Sequence, residues 1–156
     1  MAIAITLQEY LENNETEYEI IDHRHTDSAL HSAEAAHVPG EKMAKSVLLG
    51  DEESYLLAVI PATHHIQLNE ITQLTGRNLF LISEEELQSA FADCETGSVP
   101  PTGMPYGIDT LVDEALLQYP DLYFESGDHR KLIHIGVETF LKLEGDALIA
   151  EFSSNF

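Results

Sequence analysis

A lysine at the start of an apolar strand is the first residue whose position could support chemistry. Lys45 precedes the apolar residues Val47 to Leu49, and a second apolar run, Tyr55 to Ile60, follows the polar residues 51–54. This pattern predicts a β-hairpin covered on both faces. A rigid strand beside apolar surface would hold the ammonium group at a fixed place, where an anion could meet it. The competing interpretation is a solvated lysine at a strand end.

A stretch rich in glycine and proline, residues 97–103, is the second candidate. Gly97 and Gly103 permit close approach of the backbone, while Pro100 and Pro101 stiffen the chain between them. Such a loop can direct backbone N–H groups at a carbonyl oxygen or an anion. An ordinary turn would explain the same residues, so the loop by itself does not identify a reaction.

Neither the cysteine nor the histidines form a recognisable nucleophile or metal motif. Cys94 lies between Asp93 and Glu95, whose charges would raise the pKa of its thiol and make it a poor nucleophile. The eight histidines have no cysteine partners and no His-Glu-x-x-His spacing, and the sequence has no Gly-x-Ser-x-Gly motif. We therefore expect no metal and no cofactor.

The elements that must position these residues alternate irregularly along the chain. Helical spacing and capping residues predict helices over 6–13, 28–37, 66–75, 83–91 and 137–143. Strand patterns cover 18–21, 47–49, 55–60, 79–82, 108–112, 122–125 and 131–135, with an edge strand or tail at 147–152. This order favours a single α/β domain (α+β-like) over residues 1–156, with a mixed, barrel-like β-sheet flanked by helices.

The charge balance limits the partners. Twenty-eight acidic residues against seven basic ones give a formal net charge of −21. A surface of this sign repels nucleic acid at long range, so we expect no binding of DNA. The basic residues instead concentrate near two segments, at positions 24, 42 and 45 and at positions 130 and 131. A local positive site inside an acidic surface is compatible with this distribution.

Nothing in the sequence predicts a membrane or an oxidising compartment. The longest apolar run, Tyr55 to Ile60, is too short to span a bilayer. The first residues lack the basic region of a signal peptide. Cys94 has no second cysteine with which to form an internal disulfide. We therefore expect a cytoplasmic protein without a membrane partner.

Several short motifs, taken together, resemble one family. They are the histidine-bearing segment His23 to Ala36, then Ala44-Lys45-Ser46-Val47, Ala58-Val59-Ile60-Pro61, the GxxxP loop from Gly97 to Pro101, Leu111-Val112-Asp113-Glu114 and Tyr123-Phe124-Glu125-Ser126-Gly127. In this order and spacing the chain resembles the YbaK/prolyl-tRNA-synthetase-associated domains, the free-standing aminoacyl-tRNA deacylases. The resemblance covers roughly residues 18–143.

The resemblance implies an enzyme that hydrolyses the ester of a mischarged tRNA in trans. Its implied substrate is tRNA(Pro) carrying a small non-cognate amino acid, and catalysis would use a water and the ribose hydroxyl of the substrate. Lys45 would contact the phosphate of the terminal adenosine, and the backbone at Gly97 would hold the aminoacyl carbonyl. The implied substrate-binding residues are His23, Ser28, Val99, Pro101, Asp113, Ser126, Gly127 and His134, with His129 as a second possibility for the family's histidine.

The implied partners are the acceptor end of the tRNA and, as the protein that delivers it, prolyl-tRNA synthetase. The amino acid that would be removed stays open among alanine, cysteine, serine and proline. An alternative also stays open: Thr102 stands where the family more often has an aromatic residue, and the net charge is −21. Both features are compatible with a YbaK-like module that has lost catalysis and acts in binding or regulation.

Overall fold

A computed structural model describes residues 4–95 and 98–155, apart from the side chain of Glu84. The helices of this part are α1 (Ile5–Asn13), α2 (Ala29–Ala35), α3 (Leu68–Thr75), α4 (Glu84–Ala90) and α5 (Val137–Glu144). Its strands are β1 (Glu19–Asp22), β2 (Met43–Gly50), β3 (Tyr55–Pro61), β4 (His64–Ile66), β5 (Phe80–Leu81), β6 (Asp109–Asp113), β7 (Asp121–Glu125), β8 (Lys131–Gly136), β9 (Leu148–Ala150) and β10 (Ser153–Asn155).

The main sheet is mixed and has β2 near its centre. Its strands follow the order β1-β8-β7-β2-β3-β6-β9, and the short strand β5 also pairs with β2. The pairs β2–β7, β3–β6 and β6–β9 are parallel, whereas β1–β8, β7–β8 and β2–β3 are antiparallel. Strands β4 and β10 form a separate two-stranded sheet. The predicted class, a mixed α/β sheet flanked by helices, is confirmed.

The predicted hairpin around Lys45 is formed by β2 and β3. Lys45 lies opposite Ile60 in the register, and Gly50 lies opposite Tyr55. In the turn, one carboxylate oxygen of Asp51 accepts from the backbone N–H of residues 53 and 54, at 2.9 and 3.0 Å. These bonds satisfy turn donors that the strand ladder does not reach, and so they fix the hairpin register.

Alternating side chains of β2 enter different cores. Ala44 and Leu48 belong to the larger core, on the sheet face that we call the first face; helices α1 and α5 contribute side chains to it. Met43 and Leu49 point to the second face, where they join two smaller cores. Helix α2 contributes to the core around Met43, and α3 contributes to the core around Leu49. By this alternation Lys45 lies on the second face, at the seam between the two smaller cores.

Two local predictions are wrong, and long-range contacts explain both. Thr6, at which the first helix was predicted to begin with a capping residue, does not cap it: α1 has Ala4 at its N-cap, and Asp93 accepts from the backbone N–H of Thr6 at 2.8 Å. The predicted buried strand at 79–82 is a two-residue strand whose Phe80 and Leu81 are exposed. Leu79 is buried in a second-face core and the half-buried Ile82 packs against the first-face core, so only the two residues between them form an exposed edge.

Other helix ends agree with the sequence. The hydroxyls of Ser28 and Ser83 cap α2 and α4 by accepting from backbone N–H groups three residues later. Gly76 ends α3 in the left-handed conformation, with φ of 71°. Within the described ranges, no helix has the length and apolar composition needed to cross a membrane.

A buried glutamate ends α5. Glu144 is 5% exposed, and neither of its carboxylate oxygens has a hydrogen-bond partner. Burial raises the pKa of Glu144 well above its ordinary value of 4.5. The position at the negative end of the helix dipole disfavours the charged form as well. The folded protein therefore holds a proton on Glu144 at pH values where the unfolded chain has released it.

This linkage predicts that Glu144→Gln stabilises the protein at pH 7. Because the folded-state pKa is raised, wild-type stability falls as the pH rises from about 4.5 toward that pKa, and the neutral amide avoids the loss. We expect a gain of at least about 1 kcal/mol at pH 7 that shrinks as the pH approaches 4. Urea unfolding from pH 4 to 8 measures it, with Glu138→Gln, on the exposed face of α5, as the control. A gain that does not depend on pH would contradict the interpretation.

Candidate functional site

Lys45 is the half-buried residue around which the candidate site is built. Its Nζ donates to the carbonyl oxygen of Ala62 at 3.4 Å. Burial among apolar neighbours lowers the pKa of the ammonium group. The side chain thus places a partly desolvated cation at the seam of the second face, where an anion would interact with it more strongly than in bulk water.

The pairing of β2 with β7 places Lys45 beside a buried carboxylate. Met43 pairs with Tyr123, and Ala44 pairs with Phe124, in a parallel register. One residue further along, Lys45 and Glu125 are on neighbouring strands and on the same face of the sheet. Glu125 is 2% exposed, and neither carboxylate oxygen has a hydrogen-bond partner. A buried carboxylate in this state is costly, and functional sites often keep such groups.

A tight turn, residues 126–130, follows β7 directly. One carboxylate oxygen of Asp128 accepts from the backbone N–H of Arg130 at 2.9 Å and of Lys131 at 3.1 Å. The hydroxyl of Ser126 donates to the carbonyl of Lys131 at 2.8 Å. Gly127 has φ of 115°, and a Cβ there would lie 2.8 Å from the Cβ of Ala4. Only glycine fits this position, so the turn is held in one shape.

His129 occupies an unusual backbone conformation in this turn. Its φ is 56°, and its side chain is buried with Nδ1 3.5 Å from a carboxylate oxygen of Glu125. A residue other than glycine in the left-handed region costs about 1–3 kcal/mol, and such residues cluster at functional sites. The ring of His25 packs edge-on against that of His129, with centroids 6.0 Å apart.

The segment 23–28 lies against the turn. The backbone N–H of His23 donates to the carbonyl of Arg130 at 2.8 Å, and that of Thr26 donates to the carbonyl of His129 at 3.3 Å. The hydroxyls of Thr26 and Ser32 are 2.5 Å apart, which fixes the segment to α2. His23 of the predicted set therefore borders the turn that contains Ser126 and Gly127.

The residue that leads into the glycine- and proline-rich loop, Glu95, contacts the same turn. The backbone N–H of Glu95 donates to the carbonyl of Gly127 at 2.8 Å, and a carboxylate oxygen of Glu95 lies 2.9 Å from Nε2 of His25. Further along, Val99 is buried and belongs to the first-face core, and Pro101 is also buried. Gly97, the predicted carbonyl-binding position, lies outside the described residues, and its role stays a prediction.

Three predicted residues have structural roles and lie apart from Lys45 or at the margin of the site. The hydroxyl of Ser28 caps α2. The carboxylate of Asp113 accepts from the N–H groups of Ala115 and Phe152 and from the hydroxyl of Ser153, which ties the C-terminal segment to β6. His134 lies on β8, stacks on Tyr123 and is hydrogen-bonded through its ring nitrogens to the carboxylates of Glu19 and Asp121, at 3.0 and 2.6 Å.

Glu125 and Asp128 are buried residues that were not predicted from the sequence, whereas His129 was the second possibility for the family's histidine; the structure places all three in or next to the turn after β7. The sequence contains one signal for Glu125: an acid ends the apolar run Leu122 to Phe124, where a buried strand would place it at the margin of the core. Between His129 and His134, the former is the histidine in the turn that contacts the other site segments. Across residues 4–95 and 98–155, no three acidic, histidine or cysteine side chains are grouped closely enough to hold a metal.

A family model decides what kind of domain this is. The model of the aminoacyl-tRNA editing domain matches residues 23–143, which include Lys45, the loop and the turn. The chain belongs to the aminoacyl-tRNA editing domain family. The YbaK/prolyl-tRNA-synthetase-associated resemblance read from the short motifs is thereby confirmed. No protein with a curated function matches the sequence significantly.

Solved structures agree with this editing fold. A candidate trans-editing enzyme for prolyl-tRNA synthetase superposes with a TM-score of 0.85 at 25% identity, covering 97% of each chain. A hypothetical protein gives a TM-score of 0.85 at 20% identity, with 96% of this chain and 99% of that chain covered. A candidate signal transduction protein from Marinobacter aquaeolei VT8 gives 0.79 at 17% identity, with 99% of this chain and 31% of that longer chain covered. The last two share the fold alone.

Cys94 of the editing domain lies under the loop but is poorly suited to nucleophilic attack. It is 5% exposed, and its Sγ contacts a carboxylate oxygen of Asp93 and the hydroxyl of Tyr106, at 3.6 and 3.5 Å. Burial, with a smaller contribution from Asp93, raises the pKa of the Cys94 thiol to about 12. The sequence-based prediction of a raised pKa is confirmed, although burial is the larger cause.

The buried thiol predicts slow alkylation of the folded protein. With a pKa of about 12 instead of 9.0, the thiolate fraction of Cys94 near pH 7.5 falls on the order of 1,000-fold. Iodoacetamide labelling followed by intact-mass spectrometry should show a correspondingly slow reaction in buffer and a fast reaction in urea. Equal rates in the two conditions would show that Cys94 is accessible and reactive.

Proposed function

We propose that this chain is a single editing domain that acts as an aminoacyl-tRNA deacylase in trans. The proposed substrate is tRNA(Pro) that carries a small non-cognate amino acid. The observation that supports this most is the position of Lys45: a half-buried ammonium group held by the central strand, beside the end of β7 from which the rigid turn begins. In a chain with a formal charge of −21, a cation fixed at such a place suits one specific anion.

Each part of the site has a proposed role. The ammonium group of Lys45 binds the phosphate of the terminal adenosine. The backbone around Gly97 binds the aminoacyl carbonyl, and Val99 and Pro101 shape that loop. Ser126 and Gly127, together with His23, form the wall beside the aminoacyl group. Because a side chain at position 127 would collide with Ala4, only glycine fits there, and this wall is kept in one conformation.

The proposed reaction needs no nucleophile from the protein. An aminoacyl ester is already activated, so a positioned water can attack the carbonyl carbon while backbone N–H groups stabilise the developing oxyanion. The free ribose hydroxyl of the substrate orients this water. Breaking the ester C–O bond releases the amino acid and returns the terminal adenosine with both hydroxyls free. The buried, high-pKa thiol of Cys94 is consistent with such a route.

The selection of a small amino acid would follow from the size of the pocket. A cavity that admits one side chain and excludes a larger one acts as a second sieve after the synthetase. Thr102 is buried, and its hydroxyl has no hydrogen-bond partner; the family more often has an aromatic residue at this position. We propose that this smaller residue widens the pocket.

A deacylation panel tests the proposed reaction. Alanyl-, cysteinyl-, seryl- and prolyl-tRNA(Pro) are incubated with the wild type, with Lys45→Ala and with Lys142→Ala, which removes an exposed lysine of α5 as the control. We expect the wild type to hydrolyse one of the esters selectively. Losing a charge-assisted contact of Lys45 should lower kcat/KM roughly 10- to 150-fold. Activity of Lys45→Ala equal to that of the wild type would rule out the role assigned to Lys45.

The same panel distinguishes a deacylase from a module that acts in binding or regulation. The strongly acidic surface favours the second of these alternatives. If all four esters survive, the assay is repeated with prolyl-tRNA synthetase present, because that protein would deliver the tRNA to an acidic domain. Hydrolysis only in its presence supports trans-editing with a partner. Survival of every ester in both conditions would refute the deacylase proposal and leave the binding module.

A further inference from the structure

The basic residues of this acidic chain differ in whether they form ion pairs with carboxylates. Three of the seven basic residues form ion pairs with carboxylates, namely Lys42 with Asp121, Arg77 with Asp51 and Lys131 with Asp22. Lys45 lies in the site described above. Arg24, Arg130 and Lys142 are exposed, and no carboxylate of the described residues lies within ion-pair distance of them. Of these three residues, Arg24 and Arg130 belong to the segments that form the candidate site.

The two arginines belong to segments that touch each other. The backbone N–H of His23 bonds to the carbonyl of Arg130, so the backbone of the neighbouring Arg24 lies close to that of Arg130; we call these two positions the arginine lip. Asp128 fixes the backbone of Arg130 by accepting its N–H at 2.9 Å. Asp128 is 1% exposed, so it holds the turn from inside the protein. Both arginines thus extend from backbone that is hydrogen-bonded within the site, beside the buried ring of His129.

We propose that Arg24 and Arg130 form a docking surface for the phosphodiester groups of the single-stranded acceptor end. This inference rests on the proposed function: Lys45 would hold the terminal phosphate, and the arginine lip would hold phosphates immediately upstream. Guanidinium groups suit this task because they bind phosphate oxygens through two parallel hydrogen bonds. Only the 3′ end of the tRNA needs to enter the site. The rest of the protein surface is acidic and repels the duplex part of the tRNA.

This lip would also resolve the conflict between the net charge and a nucleic-acid ligand. Binding of a single strand becomes weaker with salt by a slope of about −0.7 in log K against log salt for each neutralised phosphate. A docking surface of two arginines therefore predicts a small, countable salt dependence. A generic basic face would give a much steeper dependence, and this chain has too few cations for one.

The experiment measures binding without catalysis. A 5′-labelled, single-stranded RNA oligonucleotide that ends in CCA is titrated by fluorescence anisotropy in 25–200 mM KCl. The proteins are the wild type, Arg24→Gln, Arg130→Gln, the double variant and Lys142→Gln, which removes the same charge far from the lip. We expect each lip variant to flatten the slope by about 0.7 and the double variant by about 1.4. Lys142→Gln should match the wild type, and thermal unfolding checks that all variants are folded.

The outcomes separate the docking surface from the deacylase proposal. Three results would each overturn the proposed docking surface. The slope could stay unchanged in the folded double variant, Lys142→Gln could flatten it equally, or the oligonucleotide could fail to bind at 25 mM KCl. Ester hydrolysis is measured on the same preparations. If binding depends on the arginines but no ester is hydrolysed, the docking surface stands and the deacylase proposal falls. If hydrolysis proceeds in the double variant with wild-type salt dependence, only the docking surface falls.

Discussion

The parallel pairing of β2 with β7 is the constraint on which the candidate site depends. Only two residue pairs form it, Met43 with Tyr123 and Ala44 with Phe124. Their register nevertheless fixes the position of Lys45 along the sheet relative to the end of β7. A shift by one residue would turn the lysine to the opposite face of the sheet. The antiparallel hairpin with β3 holds β2 from its other side over seven residue pairs. Lys45 is thus positioned by a strand that pairs with three others, β3, β5 and β7.

The site combines groups that are costly to bury with groups that fix them in place. Glu125 is a buried carboxylate without a hydrogen-bond partner, and His129 has a left-handed backbone. The turn that carries them is held by Asp128 and by the steric requirement at Gly127. A strained arrangement persists only where its surroundings determine it, and here three segments distant in sequence meet through backbone hydrogen bonds. An editing domain that positions an activated ester benefits from this rigidity.

Local sequence patterns predicted the elements well where local chemistry decides them. The hairpin, the serine caps of α2 and α4 and the left-handed Gly76 all follow from short-range rules. Pairings between distant residues could not be read in the same way. Asp93 caps a helix 87 residues away. Strand β4 forms only because β10 returns to pair with it. The choice between His129 and His134 likewise depends on which of them the turn brings toward His25 and the loop.

The most direct test of the central claim, that three distant segments and Lys45 form one site, is an NMR titration. The ligand is a non-hydrolysable amide analogue of aminoacyl-adenosine 5′-phosphate, added to ¹⁵N-labelled wild type and Lys45→Ala. If these segments form one site, we expect shifted amide resonances in residues 23–26, 44–46, 94–99 and 125–131 of the wild type. The variant should bind the ligand more weakly. Shifts confined to another region, such as the acidic groove around residues 51–55 and 107–109, would contradict it.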